Sequence, residues 1–263
     1  MRRRTQWLLW GASLAVYAFL YVPLAVVVLF SFNDSALNAE WVGFTLDWYR
    51  KLAADGEMLR AAGNSLAIAL LSSAVATVLG AMAGIAMHRY RFPWLPLLVL
   101  TPVAMPEILL GVSLLLFFRQ VLDLTLGFLS ILVAHITFSL GFVAVIVRAR
   151  LAGMDRSLVE ASEDLYATPL GTFRQVVLPL LLPGIIAGAL LAFTFSFEDF
   201  VIAFFVAGSD ITLPIYVYSS IRRGVTPEIN AIGTIVLMTS FTLLIIAQFI
   251  MRDRKQRRAD AEG

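Results

Sequence analysis

Residues 151–183 read LAGMDRSLVEASEDLYATPLGTFRQVVLPLLLP, a polar stretch set between two long apolar runs. It is too charged for a hydrocarbon core, yet it carries helix start and stop signals that a plain linker does not need. Ser157-Leu158-Val159-Glu160 has the S-x-x-E spacing of a capping box, in which each of the two side chains satisfies an orphan backbone donor. That spacing predicts a short helix over 158–165. Thr168 offers a second N-cap with Pro169 at the first helical position, and Leu178-Pro179 is expected to close that second helix. A structured elbow of this kind suits a docking surface.

The flanking runs set the class. Of 263 residues, 60% are hydrophobic and only 14% charged, far too apolar a balance for a soluble domain of this length. The expected fold is all-α and polytopic in a membrane, one transmembrane domain over 1–263 with 151–183 as a loop within it. Six runs, 7–32, 59–87, 94–118, 124–147, 184–206 and 229–251, can each cross a core of about 30 Å, which takes about 20 helical residues. Each is read as a helix, because an isolated strand leaves its backbone unsatisfied in lipid. Arg2-Arg3-Arg4 ahead of the first run looks like a secretory leader, but the run exceeds the roughly 7–15 residues of such a leader and no small-x-small site follows. It is read as a retained first span.

Orientation follows from the cations. Of the 20 Lys and Arg residues, only Arg50, Lys51, Arg60, Arg119, Arg222 and Arg223 fall on one side, so the positive-inside rule puts both termini and the elbow in the cytoplasm. Outside, 33–58 holds Trp41, Trp48 and Tyr49 among turn residues, as an aromatic belt at the interface would. The outer segment 207–228, punctuated by Gly208, Pro214, Gly224 and Pro227, is expected to re-enter the membrane or cap it. In the second run Gly80-x-x-x-Gly84 permits close backbone approach, within the chain or against a second subunit.

A catalytic reading fails early. There is no cysteine, and the two histidines, His88 at a membrane end and His135 inside the fourth run, sit in no hydrolase or metalloprotease motif. His135 is read as a hydrogen-bonded packing residue. Both lysines lie outside any G-x-x-x-x-G-K-[ST] pattern, so no cofactor or metal is expected here, and if ATP drives transport another chain must hydrolyse it. Nothing points to nucleic acid.

The informative polar groups are carboxylates inside spans: Glu107 in the third, Glu198 and Asp199 in the fifth. Such a charge costs at least about 2.5 kcal/mol near the bilayer centre, so it faces a bundle interior or a watery path. Counted along straight helices at about 1.5 Å per residue, Glu107 and Glu198 both lie roughly 20 Å from the cytoplasmic entry. They are candidates for a cation station on a substrate path. Adjacent residues diverge by about 100°, so Glu198 and Asp199 cannot face one point. The alternative for each is a buried hydrogen bond, with Thr194 and Ser196 as nearby partners. Pro102 and Pro106 predict a kink before Glu107.

The elbow resembles the cytoplasmic EAA loop of bacterial ABC importer permeases. Glu160-Ala161-Ser162, then Tyr166, then Val176 and Leu178-Pro179 stand in the register of EAA, Gly, Ile-x-Leu-Pro. Ser162 replaces an Ala and Val176 an Ile; Tyr166 replaces the Gly that normally turns the corner in a left-handed conformation, at a cost of roughly 1 kcal/mol or a different turn. FSFEDFVIAFFVAG over 195–208 and TLPIYVYSSIRRGVTPEINAIGTI over 212–235 are similar to the spermidine/putrescine branch, which suits the acidic residues, although branches for iron or opines share parts of the pattern. The resemblance implies type I importer architecture in the bacterial inner membrane and alternating access with a second permease subunit. It also implies an ATPase dimer that binds ATP and magnesium and docks on Ser157, Glu160 and their neighbours, and a solute-binding protein outside. Two other classes remain: a lone ion-coupled transporter, which would move solute on an ion gradient, and an intramembrane enzyme depending on His135.

Overall fold

The computed structural model describes residues 2–35, 40–90, 92–223 and 227–259, and helices make up most of them. They are α1 (Arg2–Phe30), α2 (Asp47–Ala54), α3 (Gly56–Arg89), α4 (Trp94–Ala104), α5 (Glu107–Leu116), α6 (Phe128–Ala152), α7 (Ser157–Asp164), α8 (Pro169–Thr172), α9 (Leu178–Glu198), α10 (Val201–Val206), α11 (Leu213–Arg223) and α12 (Pro227–Ala259). Among the described residues, the stretches Leu9–Phe30, Gly56–Arg89, Phe128–Ala152 and Pro169–Glu198 are long and apolar enough to cross a membrane singly, and α4 with α5 and its π-helical extension makes a bent fifth. The sixth expected run falls on α12.

The chain divides into two compact units. One joins Arg60–Ile215 with Ile245–Gly263, the other Met1–Leu59 with Tyr216–Leu244. In the first, Ile68, Phe118, Ile131, Ile202 and Val206 form a buried core where α3, α5, α6 and α10 meet. The glycine pair of α3 is used inside the chain. A Cβ on Gly80 would stand 2.7 Å from the Leu140 carbonyl oxygen and from Val143 Cβ, and one on Gly84 would stand 2.7 Å from the Ala144 carbonyl oxygen. Backbone contact between α3 and α6 therefore depends on both.

The third span is broken. Met105 is extended (φ −79°, ψ 141°), as a residue preceding proline prefers, and α4 and α5 turn 107° from each other there. Pro106 sets the break, while Pro102 stays within α4. Glu107 opens the new helix, so a depth counted along one straight rod does not apply to it.

The fifth span also differs from its expected bounds. It begins in the elbow and stops at Glu198, and Val201–Val206 is a separate short helix buried in the core. The segment after it is tied down: Asp210 Oδ2 accepts the Phe128 N–H at 2.7 Å, Asn64 Nδ2 donates to the Ile211 carbonyl at 3.1 Å, and Ser65 Oγ accepts the Leu213 N–H at 2.8 Å. α11, at 11 residues, is too short to span a core that takes about 20.

In the second unit the loop after α1 folds around Asn33. Its amide donates to the Glu40 carbonyl at 2.7 Å and accepts the Val42 N–H at 2.9 Å. Trp48 Nε1 donates to the Asn33 carbonyl at 2.9 Å, and the Tyr49 and Ser31 hydroxyls lie 2.7 Å apart. Trp48 and Tyr49 thus close the loop through their polar ends, which a belt of interfacial aromatics does not require. The Tyr216 hydroxyl donates to Asp55 Oδ2 at 2.6 Å. Burial, then that bond, pushes the phenol up to about 12.

Candidate functional site: an elbow and an acidic helix break on one rod

The elbow's first helix, α7, has no buried residue, and Ser157, Glu160 and Ala161 stand exposed on it. The capping box does not form. Arg156 is already helical (φ −66°, ψ −26°), which moves the start back one residue and denies Ser157 the extended backbone of an N-cap. Asp155 takes over, its Oδ1 accepting the Ser157 N–H at 2.9 Å. That backbone donor, and next the Ser157 hydroxyl, holds the Asp155 carboxyl below the usual carboxylate range.

At the other end of α7, Tyr166 keeps the turn expected of glycine. Its φ is +59°, the Tyr166 N–H donates to the Glu163 carbonyl at 2.9 Å, and the Ala167 N–H donates to the Ser162 carbonyl at 3.1 Å. This bond pair is a Schellman motif with Tyr166 at the left-handed position. The ring is 96% exposed and its neighbour Leu165 82%. Ser162, which stands where the family pattern has Ala, lies 3.0 Å from the Thr172 hydroxyl, linking the two halves of the elbow.

Thr168 caps the second half as the sequence predicts, accepting the Gly171 N–H at 3.2 Å with Pro169 at the first turn. Pro179 does not end that helix. A π-helical turn at Phe173–Val177 carries α8 into α9, and Pro179 follows it in the first turn of α9, where the ladder is already out of α register and a missing N–H is tolerated. Val176 and Leu178 are half-buried at this junction, and neighbouring Val177 packs with Leu181 against Val143, Val147 and Leu151 of α6. Pro169–Glu198 is therefore one rod of 30 residues, roughly 45 Å long.

The rod ends on the acidic pair. Glu198 is its last residue and is exposed. Asp199 is extended (φ −65°, ψ 124°) and its side chain is 7% exposed. Its Oδ2 accepts the Ala203 N–H at 2.8 Å and lies 3.2 Å from His135 Nε2, too oblique for a directional hydrogen bond. His135, 2% exposed, has its Nδ1 2.7 Å from Ser196 Oγ, which also accepts the Ser72 hydroxyl at 2.8 Å. Of the three candidate path acids, Asp199 is engaged inside the protein, while Glu107 and Glu198 are exposed. Sequence reasoning found His135 and Ser196 as hydrogen-bonding residues but missed the His135–Asp199 pairing and Ser72. The available signal was one acid and one histidine in separate apolar runs.

Residues 76–258 match the family described as binding-protein-dependent transport system inner membrane component. The chain is 40% identical over 248 residues to the spermidine/putrescine transport system permease protein PotC of Escherichia coli K12, covering 93% of this chain and 94% of that one. It is 41% identical over 257 residues to the putrescine transport system permease protein PotI of the same strain, covering 94% and 92%. Its fold is similar to an inward-facing MetNI methionine ABC transporter (TM-score 0.66, 21% identity, 74% of this chain and 95% of that one). A bacterial ABC importer of the polysaccharide alginate is also similar (TM-score 0.67, 13% identity, 96% and 97%). The chain belongs to the family of binding-protein-dependent transport system inner membrane components, as a multi-pass permease subunit of an ABC importer and not an enzyme.

Proposed function

We propose that this permease imports polyamines of the spermidine and putrescine class by alternating access with a second permease subunit. The observation that carries the solute class is likeness of 40 and 41%, over more than nine-tenths of the chain, to two permeases named for those amines. The exposed carboxylates Glu107 and Glu198 suit a cationic solute. A solute-binding protein delivers it outside. Both termini and the elbow lie in the cytoplasm, where an ATPase dimer, holding the ATP and magnesium, docks on α7 and the turn at Tyr166. The unbroken rod of Pro169–Glu198 gives docking a direct route to the acidic break, because a displaced helix moves at both ends.

The test is uptake of radiolabelled spermidine and putrescine into proteoliposomes holding the full complex and its binding protein. Uptake is expected only with ATP on the ATPase side. Uptake by this chain alone on an ion gradient would refute the proposal. Glu160→Arg, on the exposed face of α7, is expected to prevent co-purification with the ATPase; unchanged assembly and uptake would remove α7 from the docking surface.

A further inference from the structure

Four buried polar side chains from three helices and one helix break converge near the end of the rod. Ser72 comes from α3, His135 from α6, Ser196 from α9 and Asp199 from the break itself, with side-chain or residue exposures of 0, 2, 5 and 7%. Polar groups so buried are costly unless satisfied, and when satisfied they fix one geometry. One order of protons pairs the two serines with Nδ1 and leaves Nε2 facing a carboxylate without a directional hydrogen bond. The Ser72 hydroxyl donates to Ser196 Oγ, the Ser196 hydroxyl donates to His135 Nδ1, and the remaining imidazole proton, on Nε2, faces Asp199 Oδ2. With one proton on the imidazole, reversing the middle bond would move that proton to Nδ1 and leave the Nε2 lone pair facing the Asp199 carboxylate.

Both oxygens of Asp199 are occupied by this arrangement. Oδ2 receives the Ala203 N–H and faces the imidazole, and Oδ1 lies 3.4 Å from the Ile202 N–H. Asp199 is therefore the residue that fastens the start of α10, and α10 is itself buried against α5 and α6 through Ile202, Ala203 and Val206. To turn toward a cation, Asp199 would have to uncap α10 and leave the imidazole N–H facing no acceptor, a double loss.

We infer that Asp199 and His135 are positioning residues for transport: together with Ser196 and Ser72 they hold the break that follows Glu198, and Asp199 does not itself meet the solute. The role rests on the polyamine path proposed above and specifies it, since of the adjacent acids only Glu198 is left on the path. The brace joins α9, α6 and α3 at the far end of the rod from the elbow. Rod movement is therefore shared with α6 and α3 at this end through Ser196, and Asp199 keeps α10 fastened beside Glu198.

The experiment uses the assembled complex with its binding protein in proteoliposomes, and Asp199→Asn, His135→Gln and the double variant. Asp199→Asn keeps an oxygen for the Ala203 N–H, so a complex recovered in normal amount is expected. Each single variant should lower uptake about tenfold, and the double should be no worse than the poorer single, because both remove one contact. The loss should be equal for spermidine, a trication, and putrescine, a dication. Multiplicative losses in the double variant, or a larger loss for the trication in Asp199→Asn, would overturn the inference by putting Asp199 on the solute. A readout independent of any solute accompanies these. Hydrogen exchange at the Ile202 and Ala203 amides should accelerate in His135→Gln, and unchanged exchange overturns the brace even if uptake falls. Should the unaltered complex take up neither amine, the polyamine reading fails while the exchange result still decides the brace.

Discussion

Tyr166→Gly separates what the turn requires from what the ring contributes. Tyr166 holds φ +59°, and a residue with a Cβ in that region costs about 1–2 kcal/mol. Glycine removes that cost but adds about 0.5–1 kcal/mol of backbone entropy to be lost on folding. The net is zero to about 1.5 kcal/mol in favour of glycine, up to roughly twelvefold in the population of the closed turn. The ring adds nothing to this balance within the chain, being 96% exposed. Tyr166→Ala removes the ring and keeps the strain, so it should match the tyrosine. The reporter is the Ala167 amide, whose bond to the Ser162 carbonyl closes the motif and whose exchange rate follows its opening. Protection should be equal or modestly higher with glycine and unchanged with alanine. Lower protection in the glycine variant would refute the strain reasoning. If both variants fold normally but lose the ATPase together, the exposed ring is a contact in the assembly.

Gly80→Ala puts a methyl 2.7 Å from a carbonyl oxygen of α6, and forcing apart two packed helices typically costs about 1–3 kcal/mol; thermal unfolding in detergent should register it, and an unchanged midpoint would mean that α3 and α6 separate freely. Tyr216, pushed to about 12 from an ordinary value near 10, is bound more tightly as the neutral phenol. Its contribution is complete below about pH 10 and is lost as pH rises through about 12. The ultraviolet titration of the protein minus that of Tyr216→Phe should isolate one late phenol, and a difference curve titrating with the bulk tyrosines would contradict the burial and the Asp55 bond.

Much of the functional reading was local and hence visible in the chain. The apolar runs, the proline break before Glu107 and the Thr168-Pro169 cap each depend on a few neighbouring residues acting through sterics and hydrogen bonds. The elbow's start was misread by one residue because Asp155 and Ser157 both offer an oxygen to the same turn, and only the backbone at Arg156 chooses between them. Pro179 was read as a stop because proline usually is one. The π-helical turn that carries the helix past it is seated where Val177 packs on α6, a contact remote in sequence.

Composition and pattern alone determined that this is a multi-span helical protein with a polar elbow and a few intramembrane acids, because lipid leaves the backbone no other choice and tolerates few charges. The tertiary structure decided where those acids stand. His135 and Ser196 are 61 residues apart, and Ser72 and Ser196 are 124 apart. Nothing local brings such pairs together. Their meeting in a water-poor core commits Asp199 to an internal partner, leaves Glu198 exposed, and ties that exposed charge through one rod to the elbow at residues 151–183.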